Sequence, residues 1–327
     1  MMRSLYSGIS GLRNHQTRMD VIGNNIANVN TAGFKSSRTI FQDIYSQTSR
    51  SAAAPVTGGL GGTNPMQIGL GVKLATIDVL HTSAAIQRTD RELDLMIEGD
   101  GFFVVSSVAP DAATEDQDVP GVYVPDDSVP DASEVVPLSY TRAGNFYLDS
   151  RGYLVTASGM YVLGVRAVAD AATGGTASGF TVPGSGANDE ITAANLERIW
   201  VDMTAYSSIS FDDKGNLQGV NTAGVKEIIG TAAVATFINP GGLEKMGSSL
   251  YAETPNSGQP GGIDGGAFFQ SGTGGAGKLV AGGMEMSNVD LASEFTDMIV
   301  TQRGFQANSR IITVSDTLLE ELVNLKR

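Results

Sequence analysis

The chain has 327 residues, 41% of them hydrophobic and 7% aromatic, which suffices for a lean core and, as a length prior, about two domains. A formal net charge of -14 argues against nucleic acid, whose phosphates ask for clustered Lys and Arg. Cysteine is absent and only His15 and His81 represent histidine, so disulfide scaffolds, thiol catalysis and thiolate zinc sites are excluded, and a His-built metal centre is disfavoured. No stretch approaches the ~20 apolar residues of a membrane span. Met1 to Asn14 lacks the continuous apolar run of a secretory signal, so the expectation is a cytosolic chain or one exported by another route.

All 11 prolines fall between Pro55 and Pro260. Proline inside a helix removes a hydrogen bond and clashes, so two proline-free ends predict helices around a non-helical middle. In the first helix Leu5, Ile9, Leu12, Met19, Ile22 and Ile26 recur at three- and four-residue spacing, and Asn, Thr and Gly between Asn28 and Gly33 end it. Residues 31–74 are polar and Gly-rich and read as an extended connector with little helix.

From Ala75 onward β signals dominate. Gly101-Phe102-Phe103-Val104-Val105 reads as a strand after the turn Glu98-Gly99-Asp100. Asp149-Ser150-Arg151-Gly152 and Asp212-Asp213-Lys214-Gly215 each sit between apolar β runs, with Asp to open the turn and Gly for its left-handed position. Two segments read as surface insertions on this body. Residues 106–137 hold eight acidic residues, five prolines and no base; residues 166–190 are rich in Ala, Gly, Thr and Ser.

The second long helix is predicted from Val289 to Leu325, with Ser287 or Asn288 as N-cap. Leu291, Met298, Phe305, Ile312 and Leu319 recur every seven residues, and Phe295, Ile299, Ile311, Leu318, Leu322 and Val323 widen the stripe. Gln302, Ser309 and Asp316 interrupt the partner heptad positions. Such a stripe wants a partner helix, and the N-terminal end supplies one. Residues 1–50 carry six bases against two acids and residues 281–327 seven acids against four bases, a modest complementarity. The fold class is therefore α+β. Terminal helices (1–30 with 286–327) form a coiled-coil-like pair, 31–74 connects, and 75–285 is a mainly β domain with surface insertions.

Chemistry-bearing motifs are few. Gly272-Thr273-Gly274-Gly275-Ala276-Gly277-Lys278 resembles a phosphate-binding loop, but Leu279 stands where the magnesium-binding hydroxyl belongs and Val280-Ala281-Gly282-Gly283 opens no helix. The acidic insertion lacks EF-hand spacing and reads as a solvated face. No G-x-S-x-G elbow is present, and His15 and His81 read as structural. No catalytic, cofactor or metal site is expected.

Asn24-Asn25-Ile26-Ala27-Asn28-Val29-Asn30-Thr31-Ala32-Gly33-Phe34-Lys35 resembles the N-terminal signature of the flagellar rod and hook proteins. Ser287-Asn288-Val289-Asp290-Leu291, followed by Met298-Ile299-Val300-Thr301-Gln302-Arg303-Gly304-Phe305-Gln306-Ala307-Asn308, resembles their C-terminal one. Asn24, Asn25, Asn28, Gly33, Phe34, Asn288, Val289, Gln302 and Arg303 carry these signatures. Weaker similarity runs through Gly99-Asp100-Gly101-Phe102-Phe103, Tyr140-Thr141-Arg142-Ala143-Gly144-Asn145-Phe146 and Leu243-Glu244-Lys245-Met246-Gly247.

Within that family, Gly61-Gly62-Thr63-Asn64-Pro65-Met66-Gln67-Ile68-Gly69-Leu70-Gly71 and the ending Leu322-Val323-Asn324-Leu325-Lys326-Arg327 look like the short hook proteins of Gram-positive bacteria. The distal rod branch, with a different insertion in that connector, is the alternative. The resemblance implies a non-enzymatic subunit exported through the flagellar type III apparatus and polymerised, outside the cell, into the hook of the flagellum. Its implied partners are further copies of itself, the distal rod protein, the hook cap and the hook-filament junction protein. The implied assembly seam is Leu5, Ile9, Leu12, Met19, Ile22 and Ile26 on one helix and Leu291, Phe295, Met298, Phe305, Ile312 and Leu319 on the other.

Overall fold

In a computed structural model, the structure describes residues 2–55, 61–107, 138–166, 168–169, 180–181, 190–192, 196–212, 214–261 and 267–325. The chain folds as two compact units. The first gathers Met1–Val29, Lys35–Leu80 and Val289–Arg327; the second gathers Asn30–Phe34 and His81–Asn288. Both termini therefore end in the same unit. The architecture is α+β, with a helix at each end of the chain and a mostly β middle.

In the first unit, helix α1 (Met2–Ala27) lies antiparallel to helix α2 (Leu291–Asn324). Gly8 stands beside Ile312, Gly304 beside His15, and Arg18 pairs with Asp297, so rising numbers on one helix meet falling numbers on the other. The N-cap of α2 is Asp290, not Ser287 or Asn288: its carboxylate accepts from the Ala292 N–H at 3.0 Å. At 1.5 Å per residue, α2 is about 51 Å long.

The stretch read as an extended connector is extended but paired. Strand β1 (Ser37–Asp43) pairs antiparallel with β4 (Val72–Val79), and β2 (Ser46–Arg50) with β3 (Met66–Gly69). The Ile44 N–H donates to Gly71 O and the Leu70 N–H to Tyr45 O, which joins the two ladders into one long two-stranded ribbon. The composition hid this because the ribbon is nearly all exposed at β2 and β3 and so needs no alternating apolar face. α1 packs on the ribbon's base: the Asn14 side chain donates to Val72 O at 2.7 Å, and His15 meets the Phe41 ring edge-on.

The second unit is built on an antiparallel sheet. Strand β5 (Ile86–Arg88) pairs with Gly283–Glu285 and β6 (Leu95–Glu98) with Lys278–Ala281. Strand β7 (Phe102–Ser106), buried along its whole length, sits at the centre, flanked by β8 (Leu138–Thr141) and by Tyr161–Arg166 and Val234–Ala235. Its pleat divides the core. Phe103 and Val105 join one apolar cluster with Leu95, Ile97 and Leu217, while Phe102 and Val104 join another with Tyr140 and Phe268.

Both anticipated hairpin turns form. Gly152 and Gly215 adopt φ of 88° and 76°, and each N–H donates to the carbonyl of the Asp that opens its turn, at 2.9 and 2.8 Å. The phosphate-loop lookalike is a tight turn running directly into the strand Lys278–Ala281, so no helix N-terminus is there to receive a phosphate. The acidic insertion beyond Ser107, and most of the second insertion, lie outside the described residues.

Candidate assembly surface

The helix pair is a seam of alternating character. Facing α1, helix α2 presents Met298, Phe305, Ile312 and Leu319, all partly buried. Between them stand Thr301, Asn308 and Ser315, of which Thr301 and Ser315 are buried. These polar residues, three positions after each large apolar one, are the second half of the heptad. Gln302, Ser309 and Asp316, read from the sequence as the interruptions, are exposed. Thr301 is fully buried and its Oγ1 finds no hydrogen-bond partner among the described residues. Ser315 satisfies itself on the Ile311 carbonyl at 2.7 Å.

On α1 the opposing surface is built for close approach. Gly8 and Gly11 are buried, and a Cβ at Gly11 would sit 2.7 Å from Asn308 Nδ2. Ile22 is buried, and Leu5, Leu12, Met19 and Ile26 are partly so. Ile9, Leu291 and Phe295 do not belong to this contact: 39%, 39% and 50% of their surfaces are exposed. The spacing argument put them on one stripe because a wide apolar arc cannot be divided between two partners from sequence alone.

Electrostatics pins the register. Arg18 Nη2 lies 3.1 Å from Asp297 Oδ2 on the half-exposed flank. Deeper in, Asn25 Nδ2 donates to Glu294 Oε1 at 2.9 Å and to Ser37 O at 2.8 Å, while Asn25 Oδ1 accepts from the Ser37 N–H at 3.0 Å. One buried carboxamide thus ties together α1, α2 and the start of β1, which accounts for an Asn at this signature position. Burial raises the Glu294 carboxyl above its ordinary value, although the Asn25 bond favours its charged form. Burial and, after it, the Arg18 charge hold the His15 imidazole below its ordinary value.

The remaining signature residues have separate tasks. Asn28 closes the end of α1, its side chain donating to Asn24 O at 2.9 Å. In the second unit Gly33 adopts φ 68° and donates its N–H to Glu285 O at 2.8 Å. The Lys245 ammonium stands 4.9 Å from the centre of the Phe34 ring. Asn288 donates from its side chain to Thr82 Oγ1 at 3.0 Å. Val289 is partly buried, and Gln302 and Arg303 are exposed on α2.

Sequence reasoning did not single out the ion pair beneath Gly33. Arg142 and Glu285 are both buried, Nη1 to Oε2 3.4 Å, with the guanidinium over the Phe102 ring. Glu285 Oε1 also accepts from the Ala84 N–H at 3.1 Å. The only available signal was Arg142, the one charged residue of the Tyr140-to-Phe146 motif.

Among the described residues no group of three or more His, Asp or Glu is arranged to hold a metal ion, and no helix is long and apolar enough to cross a membrane. What the surface offers is a polar-laced helix pair and exposed apolar side chains beside it.

Comparison with known proteins agrees at both ends and the middle. Residues 5–35 match the family described as flagella basal body rod protein, 133–219 the flagellar hook protein FlgE/F/G D1 domain, and 280–325 the flagellar basal body rod FlgEFG protein C-terminal domain. The chain is 45% identical over 328 residues to the flagellar basal-body rod protein FlgG of Bacillus subtilis (strain 168), covering all of both chains. It is 34% identical over 448 aligned residues to the flagellar hook protein FlgE of Borreliella burgdorferi and 31% over 470 to that of Treponema pallidum, again covering all of each chain. Matches of this extent, together with terminal helices and a β body carrying the signature residues, place the chain in the flagellar rod and hook protein family, whose members are structural parts of the bacterial flagellum.

Proposed function

We propose that this chain is the hook subunit of that family, polymerising into a curved, flexible tube that passes torque from rod to filament. The observation that carries the reading is the stretch Gly61–Gly71, which resembles short hook proteins and supplies β3, the return strand of the ribbon. Every residue of β3 is exposed, and β2 is nearly so. A two-stranded ribbon without a core of its own is marginally stable. Contacts made through such an element can rearrange at small cost, which bending on every rotation requires.

In this reading residues 1–30 and 286–327 build the inner wall and 75–285 the outer layers. The distal rod protein lies below, the cap and junction proteins above, and the type III export apparatus delivers the chain. A second reading, distal rod subunit, is favoured by one specific finding. The 45% match to a FlgG aligns without a large length difference, whereas the hook relatives align over 448 and 470 positions. Electron microscopy of the polymer formed by the full chain separates them. Curved tubes of adjustable bend are expected; straight, rigid tubes would make it a rod protein.

A further inference from the structure

Strands β9 (Phe146–Leu148), β10 (Leu154–Thr156) and β11 (Tyr161–Arg166) carry the sheet of the second unit outward from β7. Ser106 of β7 pairs with Tyr161, Tyr161 with Val155 and Val155 with Tyr147, so the four share one face. Tyr153, two residues before Val155, is on that face too, and Trp200 is its bridge partner. The reverse face carries Phe146, Leu154 and Val162 into an apolar cluster, but neither cluster of the unit takes in any of the four rings. Tyr147 is 41% exposed, and Tyr153, Tyr161 and Trp200 are partly buried.

The rings form one patch. Tyr153 and Tyr161 meet edge to face with centroids 5.6 Å apart. The Arg198 guanidinium lies 5.5 Å from the centre of the Tyr161 ring, and that of Arg91 lies 4.6 Å from the centre of the Tyr147 ring. Trp200 donates its indole N–H to Arg151 O at 2.8 Å. The acids of these segments already have partners. Buried Asp94 pairs with Arg91 at 3.7 Å, and Asp149 and Asp202 accept from the Ser150 and Thr204 N–H groups of their own turns. Glu197 pairs with Gly164 and so stands on the reverse face. The patch is therefore close to neutral, and it offers ring surface rather than net charge.

One segment of the chain begins at this patch and has the chemistry to meet it. Residues 108–137, outside the described residues, follow Ser106, the cross-strand neighbour of Tyr161, and lead back to Leu138, whose partner is again Ser106. They hold five prolines, eight acids and no base. Proline-rich chain docks on aromatic surfaces because its rings pack there and its backbone has little entropy left to lose. At 3.1 Å per residue, about 15 residues each way span at most about 46 Å. The row from Ser106 to Tyr147 crosses three strand spacings, about 14 Å. A short tether also holds the segment at an effective concentration of about a millimolar, enough to populate a contact too weak for a free peptide. We infer that the face bearing Tyr147, Tyr153, Tyr161 and Trp200 docks residues 108–137 of its own chain, prolines against rings. Arg198, over the ring nearest the root of the segment, is the partner for its carboxylates. The inference concerns the single chain and is independent of the hook reading.

Trp200 is the chain's one tryptophan, so its fluorescence reports on this face directly. In the dilute full-length chain, replacing 108–137 by a Gly/Ser run of equal length should raise acrylamide quenching of Trp200 about twofold or more. Changing only the five prolines to serine should raise it in the same direction. Quenching unchanged by the first replacement overturns the docking, and quenching unchanged by the second overturns the stacking. The parent's protection should hold over about a hundredfold dilution, since a tethered contact does not depend on concentration. Protection lost on dilution would seat the segment on another copy and overturn the inference. Should the replacements disturb the sheet, cross-linking decides. The chain has no cysteine, and Tyr147 and Met246 are both exposed, each on a strand three steps from β7 but on opposite sides of it. Asp126→Cys with Tyr147→Cys should close an intrachain disulfide about tenfold faster than Asp126→Cys with Met246→Cys. Equal rates overturn the inference.

Discussion

Gly33 shows why a signature residue is what it is. Its φ of 68° lies where side chains are strained, and a Cβ there would meet Arg142 C and Ala143 N at 2.8 Å. Both objections concern backbone, which cannot swing away like the tip of a side chain. Gly33→Ala should therefore destabilise the second unit by about 1–3 kcal/mol, the scale of one strained backbone position, or more if the Glu285 contact is lost. Chemical denaturation followed by the fluorescence of Trp200 reads this unit, and an unchanged midpoint would remove the steric account. The glycine was legible in the sequence as part of a motif, but its reason was not. Arg142 and Glu285 are separated by 143 positions, and nothing local in either segment announces that the two side chains meet. A buried pair of this kind is a property of the finished packing.

At the scale of the helices, the large apolar residues of α2 were legible because a seven-residue recurrence survives in any alignment of the helix. The small polar half of the seam was not. Thr301, Asn308 and Ser315 look like surface residues in isolation, and only the packing of the two helices, close enough at Gly11 to set Asn308 against it, buries Thr301 and Ser315 and half-buries Asn308. This pair has a titratable neighbour. His15 packs against Gly304 and Phe41, with Arg18 one turn along and Asp297 and Glu294 on α2. Burial lowers its imidazole pKa in the folded chain. The unfolded chain then binds more protons than the folded one between the folded value and 6.5, so stability rises with pH across that window. The contribution is complete above 6.5 and declines as pH falls. Melting of the helical signal at 222 nm should occur at lower temperature at pH 5.5 than at pH 7.5, and His15→Gln should flatten that dependence. An equal slope in the variant would show that His15 is not its source.

For the whole chain, the two units differ in how they are closed. The first is assembled from three segments of sequence, so its helices meet only when both termini have been made. The second is nearly continuous, His81 to Asn288, with Asn30–Phe34 added from outside. Its sheet, its two apolar clusters and the Arg142–Glu285 pair all lie within the continuous part. Excision removes from that part, among other contacts, the Gly33 N–H bond to Glu285 O, the Asn288 N–H bond to Phe34 O and the cation–ring contact of Lys245 with Phe34. Two backbone hydrogen bonds and one exposed-type cation–ring contact amount to about 2–4 kcal/mol, a share of a domain's net stability that leaves it folded. A fragment of residues 81–288 should accordingly fold with a β-type circular dichroism spectrum and melt cooperatively, at a temperature several degrees below that of the same unit in the full chain. It should also remain monomeric under conditions where the full chain assembles, because neither α1 nor α2 is present. A fragment that melts without cooperativity would show that the first unit is needed to close the core of the second. A fragment that still polymerises would move the assembly determinants from the terminal helices to the β body.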